Sequence, residues 1–318
     1  MKRVLVTGAG GFIGHHLVTY LKQRDYWVRG VDIKRPEYTD VDADEFLTLD
    51  LRDPGAAAES TRDVDHVYAL AADMGGMGFI STHHARILHN NSLINLNTIE
   101  AAREAGVERY LYSSSACIYP EHLQTEADVV PLKESDAYPA APQDAYGWEK
   151  LISELLAEYY RSDYGLETRI VRFHNVYGPY GTFDGGREKV PAALCRKVAQ
   201  APDGGSIEMW GDGEQTRSFC YVDDCVEGIY RLMQSDHTAP INLGTDRMVT
   251  INELAAIIIG ISGKAISIEH VDGPQGVRGR NSDNSVLREA LGWEPGISLE
   301  AGLAETYRWI EKQVAAKV

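Results

Sequence analysis

Cysteine is scarce in this chain: four in 318 residues, Cys117, Cys195, Cys220 and Cys225. No two form a CxxC pair and none stands at a Cys/His metal spacing. That excludes a disulfide scaffold and a zinc-finger type of site, and free thiols are expected. Basic residues are also in deficit, 31 against 47 acidic ones, for a net charge of -16. The balance argues against a nucleic-acid backbone as general partner. An anionic ligand stays possible, because a few arginines and a helix N-terminus make a local site. No apolar run is long enough to span a membrane. No basic-plus-apolar leader precedes the strand that starts at Arg3, so a cytoplasmic location is expected. Repeats and low-complexity tracts are absent too.

What the chain does have is alternation. Hydrophobic residues make up 44%, enough for a sizeable core. Strands are expected at 4–8, 27–32, 46–50, 66–72, 109–115 and 168–175. Helices are expected at 12–22, from about 84 to 105, and at 145–160. Strands alternating with helices of this length predict an α/β fold with a parallel, doubly wound sheet of the Rossmann type. From about Tyr177 the pattern loosens into Gly and Pro clusters (YGPYGTFDGG) and shorter elements, ending in the amphipathic LAETYRWIEKQV. This predicts a smaller, discontinuous C-terminal α/β substrate lobe, with the ligand cleft between the two parts.

The stretch TGAGGFIGHHL puts Gly8, Gly11 and Gly14 straight after the first strand, with Phe12 and Ile13 opening the helix. Glycines there permit a tight turn and close approach of a pyrophosphate to backbone N–H groups. Asp32 ends the second strand, where a carboxylate accepts the ribose hydroxyls of NAD. Asp50 and Leu51 end the third, where an adenine would lie, and Ala71 ends the fourth. Asp32 would repel a 2′-phosphate, which favours NAD over NADP, with Lys34 and Arg35 pulling the other way.

Further on, YGWEK places Tyr146 and Lys150 at i and i+4 on one helix face. An ammonium beside a phenol favours phenolate, so such a tyrosine can take a proton from an alcohol while hydride leaves to nicotinamide. Ser115, at the end of the fifth strand, would hold the same hydroxyl. The set resembles the extended short-chain dehydrogenase/reductase family, most of whose members act on nucleotide sugars.

Within that family, AADMGGMGFI, SSACIYP, KESDAYPAAPQDAYGWEK, RFHNVYGPYGTFDGGREKVPAALCRK, EMWGDGEQTRSF and GPQGVRGRNSDN together resemble the GDP-mannose 3,5-epimerases. The resemblance implies oxidation of GDP-D-mannose at C4, inversion at C5 and C3, and re-reduction to GDP-L-galactose. Stopping after C5 would give GDP-L-gulose. It implies tightly bound NAD and a homodimer formed through the helices near 84–105 and 145–160. The loosening of the pattern at Tyr177 divides the chain into residues 1–176 for NAD and 177–318 mainly for the nucleotide sugar, with some segments returning to the first part. A C4 ketone acidifies both neighbouring C–H bonds, so inversion needs a base on one ring face and an acid on the other. Carried over from the matching motifs, Cys117 is the base and Lys189 the acid. Alternation along an extended segment would put Cys117 on the same side as Ser115.

Around the sugar the resemblance places Met74, Gly75, Gly76, Asn175 and Glu188, with Lys197 and Gln215 toward the nucleotide. Arg217 and Arg280 are candidates to grip the diphosphate. Each has an ordinary reading as well: a strand-end Asn caps turns, and a surface Arg forms ion pairs. His83, His84 and His89 lie in helical sequence without a supporting carboxylate, so no metal is expected there. Alternatives are a nucleotide-sugar 4-epimerase, a 4,6-dehydratase, or an NAD-binding sensor without catalysis. A 4-epimerase has no use for a second acid/base pair, and a sensor has none for Tyr146 and Lys150. The family pattern often carries an extra segment ahead of the first strand, which this sequence lacks.

Overall fold

The computed structural model describes residues 1–273 and 276–317. At its centre seven parallel strands form one sheet. They are β1 (Arg3–Thr7), β2 (Trp27–Asp32), β3 (Glu45–Thr48), β4 (His66–Ala69), β5 (Arg109–Ser115), β6 (Glu167–Phe173) and the strand Ile241–Leu243. The order is Ile241–Leu243, β6, β5, β4, β1, β2, β3. Chain order therefore reverses between β1 and β4, which opens a crevice at the carboxyl ends of the strands.

Alternation along each strand builds two cores. Val4, Val6 and Leu111 cluster with Leu17 and Val18 of α1 (Phe12–Lys22) and with Val222 and Ile229 of a helix later in the chain. Leu5, Val67, Tyr110 and Tyr112 face the other way. They meet Ala57 of α2 (Pro54–Ser60), Ile99 and Ala102 beyond α3 (Met77–Ile80) in α4 (His84–Glu104), and Ala157 of α5 (Ala145–Tyr164). Each such fully buried large side chain contributes about 1.5–3 kcal/mol.

The expected bounds hold without change for α1, β2 and β5. β4 stops early, at Ala69, because the Thr7 hydroxyl accepts the N–H groups of Leu70 and Ala71 and ends the pairing. Helix α2 falls outside the expected elements, yet it has a local signal. The Asp53 side chain accepts from Gly55 N and Ala56 N, and Pro54 occupies the first turn.

In the second half α6 (Val190–Gln200), α7 (Val222–Gln234), α8 (Ile251–Ser262), α9 (Ser285–Leu291) and α10 (Leu299–Ala315) follow. Helices α6, α8 and α10 pack on one another, while α7 packs on α1 and Ile241–Leu243 joins β6. Segments of the second half thus return to the main sheet. The strand Thr216–Ser218 pairs with Met248–Thr250 and, in parallel, with Gly279–Arg280. Pro274 and Gln275 of the GPQGVRGRNSDN motif lie outside the described residues.

Candidate active site

At the mouth of β1 the chain turns through Gly8, whose φ of 71° suits glycine. A Cβ at Gly14 would stand 2.0 Å from the Gly8 carbonyl oxygen, so α1 can start this close to the strand only without a side chain. Gly11 caps α1 without a side-chain hydrogen bond. Among the described residues nothing accepts from the first-turn N–H groups of Phe12, Ile13 and Gly14, which leaves donors for a diphosphate. The Asp32 carboxylate accepts from Gly10 N at 3.0 Å and Lys34 N at 3.3 Å, and burial raises its pKa. Lys34 turns to Glu37 and Arg35 lies over the Phe46 ring, so both bases have partners of their own. Asp50 is clamped by Arg52 at 2.9 Å, while Leu51 is buried. Ala71 lies against Gly8. This cradle, with its free donors and its carboxylate, fits a dinucleotide.

At the other end of the crevice, Asp144 caps α5 by accepting from Gly147 N at 2.8 Å. Tyr146 and Lys150 sit on the buried face of the helix. A Cβ at Gly147 would lie 2.2 Å from the Cys117 carbonyl oxygen, so this glycine is what lets α5 reach the Cys117 segment. Lys150 donates to the Ser113 carbonyl at 2.8 Å and stands 5.7 Å from the Tyr146 ring centre. The expected lowering of the Tyr146 pKa does not hold in this chain. Burial raises it well above the ordinary value, the Cys117 and Glu149 charges add to that, and the Ser115 hydroxyl works in the other direction. Burial also lowers the Lys150 pKa, against Glu149, Glu154 and Cys117.

Cys117 does not continue β5. The strand ends at Ser115, and Ala116–Ile118 form a 3-10 turn capped by the Ser115 hydroxyl, which accepts from Cys117 N at 3.2 Å. The turn, rather than strand alternation, carries Cys117 into a cluster with Tyr146, Met74, Phe79, Ile80 and Ile87. Arg280 Nη1 approaches the Cys117 sulfur at 3.4 Å. Arg280 pairs in register with Arg217, and among the described residues neither guanidinium has a carboxylate partner. Arg217 donates to the carbonyls of Thr216 and Val277, and burial together with Arg280 lowers its pKa.

Lys189 arrives from the second half as the residue before α6. By surface area Lys189 is exposed, yet protein surrounds its ammonium. Burial lowers its pKa, while the Cys117 and Cys225 charges oppose that. The segment is fastened to the loop after β4. Gly76 N donates to the Arg187 carbonyl at 3.1 Å, and the Arg187 guanidinium meets Asp73 at 3.3 Å and covers the Phe79 ring at 3.9 Å. Asp73 and Arg187 escaped the sequence reading because they are 114 residues apart. Gly75 lies against Phe79.

Other candidates are occupied by the fold itself. Glu188 accepts from Gly186 N at 2.7 Å and from Arg196 at 3.3 Å. Asn175, at φ 42°, donates to the Ser218 carbonyl, its ordinary turn role. Lys197 donates to the Glu208 carbonyl at 2.6 Å. Gln215 differs: its Oε1 is buried with no partner among the described residues, an acceptor left over for a ligand donor. His83 stacks on Phe79, His84 opens α4, and His89 contacts Asn90.

Residues 4–244 match the family model of the NAD dependent epimerase/dehydratase family. The chain is 52% identical to GDP-mannose 3,5-epimerase of Arabidopsis thaliana over 314 residues, 98% of this chain and 83% of that protein. Its backbone is similar to UDP-glucose 4-epimerase of Thermotoga maritima, with a TM-score of 0.87, 29% identity, and coverage of 98% and 100% of the two chains. UDP-glucose 4-epimerase of Thermus thermophilus, solved in complex with NAD, gives a TM-score of 0.84 at 26% identity, covering 97% and 99%.

Proposed function

We propose that this chain, which belongs to the NAD dependent epimerase/dehydratase family, catalyses the 3,5-epimerisation of GDP-D-mannose. The product is GDP-L-galactose, or GDP-L-gulose when only C5 inverts. The observation that carries this reading is a second set of proton-transfer groups beside Tyr146: the Cys117 thiol with Arg280 at 3.4 Å, and Lys189 from across the cleft. A simple 4-epimerase has no work for them.

NAD would be held by the Gly8–Gly14 turn and Asp32, and when bound would supply the hydride acceptor for C4 and the donor that restores it. Lys150, together with the positive nicotinamide when NAD is bound, would offset the burial that raises the Tyr146 pKa, so that Tyr146 accepts the C4 hydroxyl proton while Ser115 holds the same oxygen. The resulting C4 ketone lets C5–H and C3–H ionise to enolates. Cys117 removes the proton from one ring face and Lys189 delivers one to the other. Arg280 gives an anionic sulfur its hydrogen-bond donor. Cys117 and Lys189 both keep accessible surface, and proton exchange with solvent resets them before the second inversion. Arg217 and Gln215 stand ready for the nucleotide end.

The same reading divides the chain into an NAD-binding part, 1–176, and a mainly sugar-binding part, 177–318. It makes the protein a cytoplasmic homodimer. Trp148, Ile152 and Tyr159 share an exposed face of α5, and Leu88 and Leu96 are exposed on the adjoining α4, an apolar surface suited to a second copy. Among the described residues no helix is long and apolar enough to cross a membrane.

The test is incubation with GDP-mannose in deuterated water, followed by NMR of the sugar. Deuterium is expected at both C3 and C5 with no net NADH. Label at neither carbon would sink the proposal.

A further inference from the structure

We propose that Gln124 is a positioning residue for proton transfer, holding the Arg280 guanidinium against the Cys117 sulfur. The inference rests on Cys117 being the base. Gln124 lies in EHLQTEAD, a stretch with no helical or strand periodicity. Within it the chain inverts the usual preference: Gln124 is 1% exposed while its neighbour Leu123 is 39% exposed. Burying a primary amide is costly unless its bonds are made, and here they are. Nε2 donates to the carbonyls of Tyr119 and Pro120 at 3.2 and 3.1 Å, and Oε1 accepts from Arg280 Nε at 2.6 Å. The partners fix the amide orientation, because a flip would set NH2 against the guanidinium and oxygen against two carbonyls.

One residue thereby joins both halves of the site. Tyr119 and Pro120 directly follow the Cys117 turn, and the Gln124 carbonyl accepts the N–H groups of Arg278 and Gly279, next to Arg280. With Nε engaged by Gln124, the guanidinium plane is set and Nη1 points at sulfur, 3.4 Å away. The other charged or titratable groups acting on Cys117 are Tyr146 and Lys150 from α5, Lys189 before α6, and Arg217 on the neighbouring strand. None of them donates a hydrogen bond to the sulfur. Among the described residues Arg280 alone does, so its aim decides how well an anionic sulfur is held.

Alkylation by iodoacetamide reads this without substrate, because Cys117 is the only cysteine of the four that is not buried. In the NAD-loaded protein at pH 7, Gln124→Met is expected to slow alkylation of Cys117 about tenfold, the size of one lost hydrogen bond to a charged group. The turnover number for deuterium exchange should fall alongside, with KM for GDP-mannose little changed. Arg280→Met should slow alkylation similarly, and adding Gln124→Met to it should cost little more. Wild-type alkylation in folded Gln124→Met, or full additivity in the double variant, overturns the inference. If Gln124→Met does not fold, Gln124→Glu, whose charge draws the guanidinium away from sulfur, serves in its place, and an unchanged rate again overturns it. Coupled alkylation without any exchange of GDP-mannose would instead reject the epimerase reading alone.

Discussion

Replacing Glu154 by Gln removes one charge from a pair sealed beneath the site. Arg172 on β6 and Glu154 on α5 have side chains 2% and 3% exposed, joined by a fork of 2.9 and 2.7 Å. Ser114 also donates to Glu154, and Arg172 reaches the Glu134 carbonyl and the Tyr119 hydroxyl. In the variant the guanidinium stays buried and charged, and among the described residues no other carboxylate is in ion-pair contact with it. Breaking such a pair costs about 3–5 kcal/mol, and the remaining amide hydrogen bonds put Gln near the lower figure. At about 2 cal/mol/K per residue, a loss of about 3 kcal/mol lowers Tm by about 4–5 °C in a chain of this length. Urea denaturation with a parallel thermal scan measures it. Glu154→Met combined with Arg172→Met should recover much of the loss, because the pair itself contributes little net stability over well-packed apolar groups. A single-variant loss below about 1 kcal/mol would refute the reasoning, since a buried uncompensated charge cannot be that cheap.

Gly14→Ala should abolish NAD retention, as its Cβ would land 2.0 Å from the Gly8 carbonyl; cofactor released on denaturation measures this, and wild-type stoichiometry would count against the cradle. Acid should weaken the fold through two histidines. Burial and the His16 charge lower the His15 pKa to about 4, and burial with the Arg280 and Arg172 charges lowers that of His174 to about 3. The unfolded chain binds those protons from about 6.5 downward, so stability is complete above that pH and lost as pH falls toward 3–4, by about 1.4 kcal/mol per pH unit for each histidine. Denaturation midpoints at pH 7, 6 and 5 follow it, and a His174→Gln variant with the same acid slope would contradict the assignment. Ile152→Glu, on the exposed α5 face, should yield monomers in size-exclusion chromatography, whereas an unchanged elution volume would exclude that face as the dimer contact.

The sheet and its cradle were legible because they are written in local pattern. Residue period and the spacing of Gly8, Gly14 and Asp32 give α1, β2 and the dinucleotide end with hardly a shift. Helix α2 was missed because seven residues rich in small side chains carry too short a period, although Asp53-Pro54 marks its start. The catalytic end was legible in its residues but not in its geometry. Cys117 arrives by a 3-10 turn that strand alternation does not foresee. Arg280 is a diphosphate candidate by its chemistry, and no local pattern announces that its Nη1 also reaches a sulfur 163 residues away. Gln124 had no pattern at all, since its burial comes from partners on two distant segments. The Tyr146 phenol shows the same limit, because helix spacing gives its neighbour Lys150 while burial sets its pKa.

The central claim, that Cys117 does the proton chemistry next to a C4 ketone, is tested most directly by Cys117→Ala with GDP-mannose in deuterated water. Loss of deuterium uptake at both C3 and C5, with C4 oxidation still detectable as reduced nicotinamide, is the predicted result. Uptake at the wild-type rate would remove Cys117 from the mechanism.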